Sequence, residues 1–128
     1  MSVGYKIARN PGDYSRAHAL MRSEGFAKQR LSFPTLLALD EGVVGVIGTN
    51  ITNNMILAGP LVIKSDRRRI VTAIRMVEMY EVAMKGLGIK TFIFGVDQGS
   101  FLEKLIERYG YLPPYAEEEG KKFYIRRL

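Results

Sequence analysis

Lys64, Arg67, Arg68, Arg69 and Arg75 crowd one short stretch of the chain. Lys121, Lys122, Arg126 and Arg127 gather near its end, with Glu117-Glu118-Glu119 as an acidic counterweight. With a formal charge of +6, this placement predicts an anionic partner: a phosphorylated small molecule, a nucleic acid or an acidic protein surface. The arginines stand where a long helix is expected to begin. A helix start exposes unpaired amides and the positive end of its dipole, so an anion there gains charge-assisted hydrogen bonds. Just upstream, Gly59-Pro60 interrupts an apolar strand. Proline removes a ladder donor and glycine weakens pairing, so a bulge that splays the sheet is expected there. His18, the one histidine, carries a side-chain type suited to proton transfer, but its place on a first helix predicts a surface or capping role. Met55, Met76, Met79 and Met84 suit either an adaptable greasy pocket or ordinary core filling.

Other chemistries are excluded by composition. The chain has no cysteine and one histidine, which removes disulfides, thiolate metal sites and a histidine-rich metal centre within one chain. A length of 128 residues, 47% of them hydrophobic and 25% charged, fits one folded domain with a single core. The opening Met1-Ser2-Val3-Gly4-Tyr5-Lys6 lacks the order of a signal peptide, and no apolar run approaches the ~20 residues that span a bilayer. A cytoplasmic protein is expected.

The elements that must position these residues follow from periodicity. Tyr5 to Arg9 alternates like a half-buried strand, and Asn10-Pro11-Gly12 breaks it. Asp13 then caps a helix to about Glu24, with Gly25 as the stop and Tyr14, Ala17, Leu20 and Met21 as its apolar face. Residues 26–33 read as either a short helix or a loop. Thr35 to Asp40, Val43 to Ile51 and Met55 to Ile63 are three strands separated by turn residues, which predicts an antiparallel meander. Ser65 or Asp66 opens the longest helix, with Ile70, Ala73, Ile74, Val77 and Met84 inward, ended by Gly86-Leu87-Gly88. Ile89 to Val96 is an apolar strand parallel to its predecessor through a right-handed crossover, in the middle of the sheet. Ser100 and Glu103 form a capping box for a helix that buries Phe101, Leu102, Leu105, Ile106 and Tyr109 and stops at Gly110. Pro113-Pro114 and a turn near Glu119-Gly120 lead to a last strand, Lys122 to Arg126. The expected architecture is a mixed α/β (α+β) domain over 1–128, with a central, mostly antiparallel sheet flanked by helices.

This order resembles the GNAT family of N-acetyltransferases over essentially the whole chain, most specifically from Leu61 to Tyr111. Tyr109-Gly110-Tyr111-Leu112-Pro113 is similar to the Gly-Phe ending of that family. The family signature of Gln or Arg, two residues, Gly, one residue, Gly or Ala falls on Arg68-Arg69-Ile70-Val71-Thr72-Ala73. Its first and last positions match, and Val71 stands where the family has glycine. The resemblance implies that acetyl-CoA is the co-substrate. It implies that Leu61, Val62 and Ile63 offer backbone groups to the pantetheine arm. It further implies that Arg67, Arg68, Arg69, Val71, Thr72 and Ala73 surround the pyrophosphate, and that the asparagine usual at the last helix is replaced around Ser100. The fourth strand carries no carboxylate to serve as base. The family's acid tyrosine falls on Ile106; Tyr109, almost a full turn further, is read first as a core aromatic with its hydroxyl at the surface and second as a substitute acid.

Two functions follow from the resemblance, and a third from charge. The first is an acyl-CoA-dependent N-acetyltransferase acting on an amine, with the acceptor chosen by the first helix, residues 26–33 and the final hairpin. The second is a GNAT-like domain without catalysis, serving as a structural or interaction protein such as a phage virion component; Val71, Ile106 and the acid-free strand point that way. The third takes the arginines as a nucleic-acid contact, which must weaken with salt, although no recognition motif accompanies them. Exposed strand edges offer a route to a homodimer.

Overall fold

The computed structural model describes residues 3–26, 30–65, 69–108, 116–118 and 120–128. Strand β1 (Gly4–Ile7) leads into helix α1 (Pro11–Ser23), and β2 (Leu36–Leu39), β3 (Val43–Thr52) and β4 (Met55–Ile63) follow as the expected meander. Helix α2 (Arg69–Gly86), β5 (Thr91–Asp97), α3 (Phe101–Arg108), β6 (Ala116–Glu118) and β7 (Lys121–Arg127) complete the order. One sheet holds every strand, in the order β1-β2-β3-β4-β5-β7-β6. Only β4 and β5 run parallel, and the other pairs are antiparallel. The architecture is the predicted mixed sheet, and β5 lies inside it.

Strand alternation sorts the core into two layers, because successive side chains of a strand point to opposite faces. Val44 is the exception, left as an extra residue on β3 by the register slip between Ala38 and Leu39. Val46 and Val62 join Ala17, Leu20 and Met21 of α1. Val44, Ile47 and Ile63 join Ala73, Met76, Val77, Tyr80 and Met84 of α2, with Leu105 and Ile106 of α3 in the same cluster. Ile70 departs from the expected inward set, being 60% exposed. It sits in the first turn of α2, where only Thr72 and Ala73 fold under the helix.

Helix ends follow cap chemistry, with one correction. Asn10, rather than Asp13, caps α1: its Oδ1 accepts from the Asp13 amide at 2.9 Å. Asp13 instead turns inward and is fully buried. Its carboxylate accepts from the Arg9 amide at 2.9 Å, from Lys6 Nζ at 3.2 Å and from Arg16 Nη2 at 2.6 Å. Both residue types cap well, and the tie is broken by Lys6 on the neighbouring strand. At the far end Gly25 adopts φ +84, Gly25 N donates to Arg22 O at 3.1 Å and Phe26 N to Met21 O at 3.0 Å. These two bonds are the Schellman closure, and they set Phe26 at the exit of the helix. Gly88 closes α2 in the same way, with Ile89 N on Met84 O at 3.0 Å.

The Arg9 amide, then Lys6, holds the Asp13 carboxyl below its ordinary value of 3.8 despite burial. A carboxyl depressed by folding contributes stability above its unfolded pKa and loses it as pH falls through the folded one. The melting temperature is therefore expected to drop as pH is lowered below about 4, and less steeply in Asp13→Asn. Parallel curves for the two proteins would contradict this role.

Other expectations shift by small amounts. The first strand ends at Ile7 and α2 begins at Arg69, with Ser65 in a turn. Leu31 to Thr35 form no regular element. Strand β6 went unanticipated, since its three residues Ala116-Glu117-Glu118 read as an acidic run; its partner β7 supplies the pairing. Asp66, Arg67, Arg68, Tyr109, Gly110 and the Pro113-Pro114 segment lie outside the described residues. No described helix is long and apolar enough to cross a membrane.

Candidate functional site

The predicted bulge is present. Along the β3–β4 ladder Ile47 faces Leu61 and Thr49 faces Ala58, so Gly59 and Pro60 together oppose Gly48. Gly59 has φ +127, a conformation costly for any residue with a Cβ. Gly48 is required for a different reason. A Cβ there would lie 2.5 Å from Leu31 Cδ2 and 3.1 Å from the Gly59 carbonyl oxygen.

The bulge coincides with the point where the sheet opens. Strands β4 and β5 pair at Leu57–Ile93 and Ala58–Phe94 and nowhere beyond. On its other edge β5 stays paired with β7 throughout, from Thr91–Arg127 to Asp97–Lys121. On its other edge β4 stays paired with β3, and Lys64 N donates to Val44 O at 2.8 Å. Antiparallel ladders alternate residues that bond their partner with residues that bond outward. The 44/64 and 46/62 pairs are thus bonded, which directs the backbone N–H and C=O of Leu61 and Ile63 toward the gap. Val62 points its own groups at Val46.

A cavity of about 400 Å³ fills this opening. One wall is Leu57 to Leu61 of β4, and the facing wall is Gly95 and Val96 of β5 with Ser100 before α3. Phe26 and Arg30 close one side together with Asn50 of β3, and Lys121 and Phe123 of β7 close the other. Gly95 lets the Phe123 ring approach, since a Cβ there would meet Phe123 Cε1 at 3.1 Å. No Asp, Glu or His is among the described residues that line the cavity.

Two networks, the first of them buried, brace the opening. The Tyr80 hydroxyl meets Thr49 Oγ1, which donates to the Pro34 carbonyl oxygen. Because the threonine proton is used on Pro34, Tyr80 is the donor in the first bond. Burial pushes its pKa up to about 12, so it stays protonated and pins α2 beside Gly48. The second network fixes the α3 start. Glu103 N donates to Ser100 Oγ at 3.3 Å, while Glu103 itself accepts from the Gly99 amide and from Lys122 Nζ. The capping box thus closes on Gly99 rather than on Ser100. Lys122, then the Gly99 amide, holds the Glu103 carboxyl below its ordinary value. Tyr124 is buried, donates to Glu107 Oε1 at 3.0 Å, and is pushed up to about 12 by burial and by that carboxylate.

Of the residues singled out by sequence, the cavity brings together Leu61 and Ser100. Val62 and Ile63 are buried in opposite layers. The start of α2 is open to solvent: Ile70 is 60% and Val71 49% exposed, with no acidic residue in the first turn. Thr72 and Ala73 are buried beneath it. The backbone of Arg69 begins the helix, and Arg67, Arg68 and Tyr109 lie outside the described residues. His18 is half-buried on α1 and does not line the cavity. Residue-type signals missed Phe26, Arg30, Asn50 and Phe123 individually, and named Lys121 only as a member of the C-terminal basic cluster. Their only trace was that residues 26–33 and the final hairpin were expected to choose the acceptor. Among the described residues no group of three potential ligands could hold a metal ion.

No protein-family model matches the chain, and no curated protein is similar enough in sequence to be a relative. Solved structures are similar along its entire length. Ard1 from Thermoplasma volcanium superposes with a TM-score of 0.76 at 11% identity, covering 100% of this chain and 99% of that one. The PaiA N-acetyltransferase from Thermoplasma acidophilum, solved in complex with coenzyme A, gives 0.74 at 11% identity and covers 100% of both chains. Diaminobutyrate acetyltransferase EctA from Paenibacillus lautus, in complex with its substrate L-2,4-diaminobutyric acid and coenzyme A, gives 0.66 at 17% identity, covering 97% and 93%. Superposition over essentially the whole chain on these structures, and on an acetyltransferase of the GNAT family from Staphylococcus aureus (TM-score 0.70 at 14% identity, covering 98% and 99%), shows that this chain has the GNAT fold.

Proposed function

We propose that the chain binds acetyl-CoA and transfers its acyl group to an amine. The observation that carries this reading is the parted β4–β5 pair at Gly59-Pro60, with outward backbone groups at Leu61 and Ile63. A pantetheine arm contains amides of its own and can pair with such an edge as an added strand does. Similar structures holding coenzyme A, PaiA and EctA, support the same reading.

The residues present fit the co-substrate. First-turn amides of α2 have no partner within the helix and can donate to a diphosphate, and Ile70 and Val71 are exposed. Arg67, Arg68 and Arg69 supply charge where the chain enters this helix. Val71 places a branched side chain where glycine would leave bare backbone, which weakens this contact without blocking it, because its side chain faces solvent. Thr72 and Ala73 act by packing the helix down. Val62 serves by keeping β4 on β3 while Leu61 and Ile63 face the gap.

When bound, acetyl-CoA supplies the activated acyl carbon. An amide of β4 donating to the thioester oxygen stabilises the charge that develops there. The neutral amine nitrogen bonds the acyl carbon, the carbon–sulfur bond breaks with its electron pair on sulfur, and the nitrogen loses a second proton, which balances the one the departing sulfur gains as it becomes a thiol. Ser100, on the cavity wall, and Tyr109 are the hydroxyl donors this chain offers to that sulfur. The described walls carry no carboxylate or imidazole, and the ammonium's proton is assigned to water, with a protein base as the alternative that the pH profile tests.

The test is release of free thiol from acetyl-CoA over a panel of amines. Saturable turnover is expected, with kcat/KM rising with pH until the amine's own pKa and shifting when the amine is changed. A plateau near pH 7 that is the same for every amine would reveal a protein base and contradict the mechanism. Coenzyme binding without thiol release would favour the non-catalytic reading, which the acid-free cavity also supports.

A further inference from the structure

The cavity wall away from β4 carries a chemical bias. Arg30 and Lys121 stand on opposite sides of it, and Asn50 adds a neutral amide. Neither cation is in an ion pair with a described side chain. Glu118 faces Lys121 across the β6–β7 register yet forms no such pair, and the described lining holds no carboxylate. Phe26, Pro60 and Phe123 make the remaining surface apolar. Two cations around a partly apolar space of about 400 Å³ repel a further positive charge and attract a negative one.

Resting on the transfer reading above, we infer that the acceptor is an amine that itself carries an anionic group, a carboxylate or a phosphate, which Arg30 and Lys121 hold. The guanidinium of Arg30 suits either oxyanion through paired N–H donors, and the Lys121 ammonium adds a point charge. Polyamines and lysine side chains are the acceptors such a lining turns away. Phe26 and Phe123 leave room for a short apolar stem between the anion and the reacting nitrogen. The cations also oppose an ammonium next to them, which favours the neutral amine that attack requires.

The experiment is a set of backbone-amide NMR titrations of the full chain, with and without coenzyme A. The probes are glutamate for a carboxylate, O-phosphoethanolamine for a phosphate, and spermidine for a polycation. At least one anionic amine is expected to shift Arg30, Asn50, Lys121 and Phe123 with a Kd about tenfold below that of spermidine, a difference of about 1.4 kcal/mol. Whichever anion binds more tightly identifies the oxyanion. Arg30→Gln with Lys121→Gln is expected to weaken that binding about tenfold, and Arg30→Glu to reverse the preference toward spermidine. Both side chains are exposed, so these proteins should fold. Equal or tighter binding of spermidine, an unchanged Kd in the double variant, or no shift at these four residues with any anionic amine overturns the proposal. Coenzyme binding is read separately at Leu61 and Ile63, so its failure is distinguishable from failure of the anion site.

Discussion

Gly48→Val is expected to lower stability by about 1–3 kcal/mol, the range for overpacking a close-packed site, and to weaken coenzyme A binding at least about tenfold. The first added carbon already lies 2.5 Å from Leu31 Cδ2, 3.1 Å from the Gly59 carbonyl oxygen and 3.4 Å from Pro60 Cδ. Leu31 can rotate away, since only the end of a flexible side chain is displaced. The Gly59 carbonyl cannot move without moving the bulge, and the bulge is what parts β4 from β5. Gly48→Ala should fall between the native protein and the valine variant. Urea unfolding and a calorimetric titration of coenzyme A check the two effects. A valine variant with native stability and native affinity would show that the bulge does not govern the opening.

The second large effect is expected at Tyr80. Its ring is fully buried and meets Phe92 edge to face, with centroids 5.5 Å apart, while its hydroxyl donates to Thr49. Tyr80→Ala leaves a cavity and removes this donor, which together should cost about 3–5 kcal/mol. Tyr80→Phe keeps the ring and deletes only the bond, so about 1–2 kcal/mol is expected, since Thr49 Oγ1 retains its bond to Pro34. Urea midpoints of both variants separate packing from hydrogen bonding. Equal losses would mean that the hydroxyl network, rather than the ring, holds α2 against β3.

Sequence revealed this site where local chemistry dictates geometry. Gly59-Pro60 is such a place: a residue without a ladder N–H next to one that tolerates positive φ makes an even ladder unfavourable. Asn53-Asn54 is another. Both residues adopt positive φ between Thr52 and Met55, as a two-residue hairpin turn demands. Asp13 was misassigned because Asn10 and Asp13 have equivalent capping chemistry, and the choice depends on Lys6 and Arg16 finding the carboxylate in space. Ile70 misled because helical period says which residues share a face but not where that face leaves the sheet. Arg30 was beyond reach for a third reason: it is an ordinary surface cation locally, and only the fold sets it around one cavity with Lys121. Charge counting found the arginines at the α2 start and counted Lys121 in the C-terminal cluster, but gave no sign that Arg30 joins it.

The coenzyme reading depends on amides that face the sheet opening and the start of α2. The most direct measurement is a backbone-amide NMR titration of the native chain with coenzyme A alone. Saturating shifts are predicted at Leu61 and Ile63 and in the first turn of α2, at Ile70, Val71 and Thr72, with Val62 changing least among the β4 residues because its amide is spent on Val46. Amides that stay unmoved at these positions when coenzyme A reaches about 5 mM, well above an ordinary substrate affinity, would contradict the account.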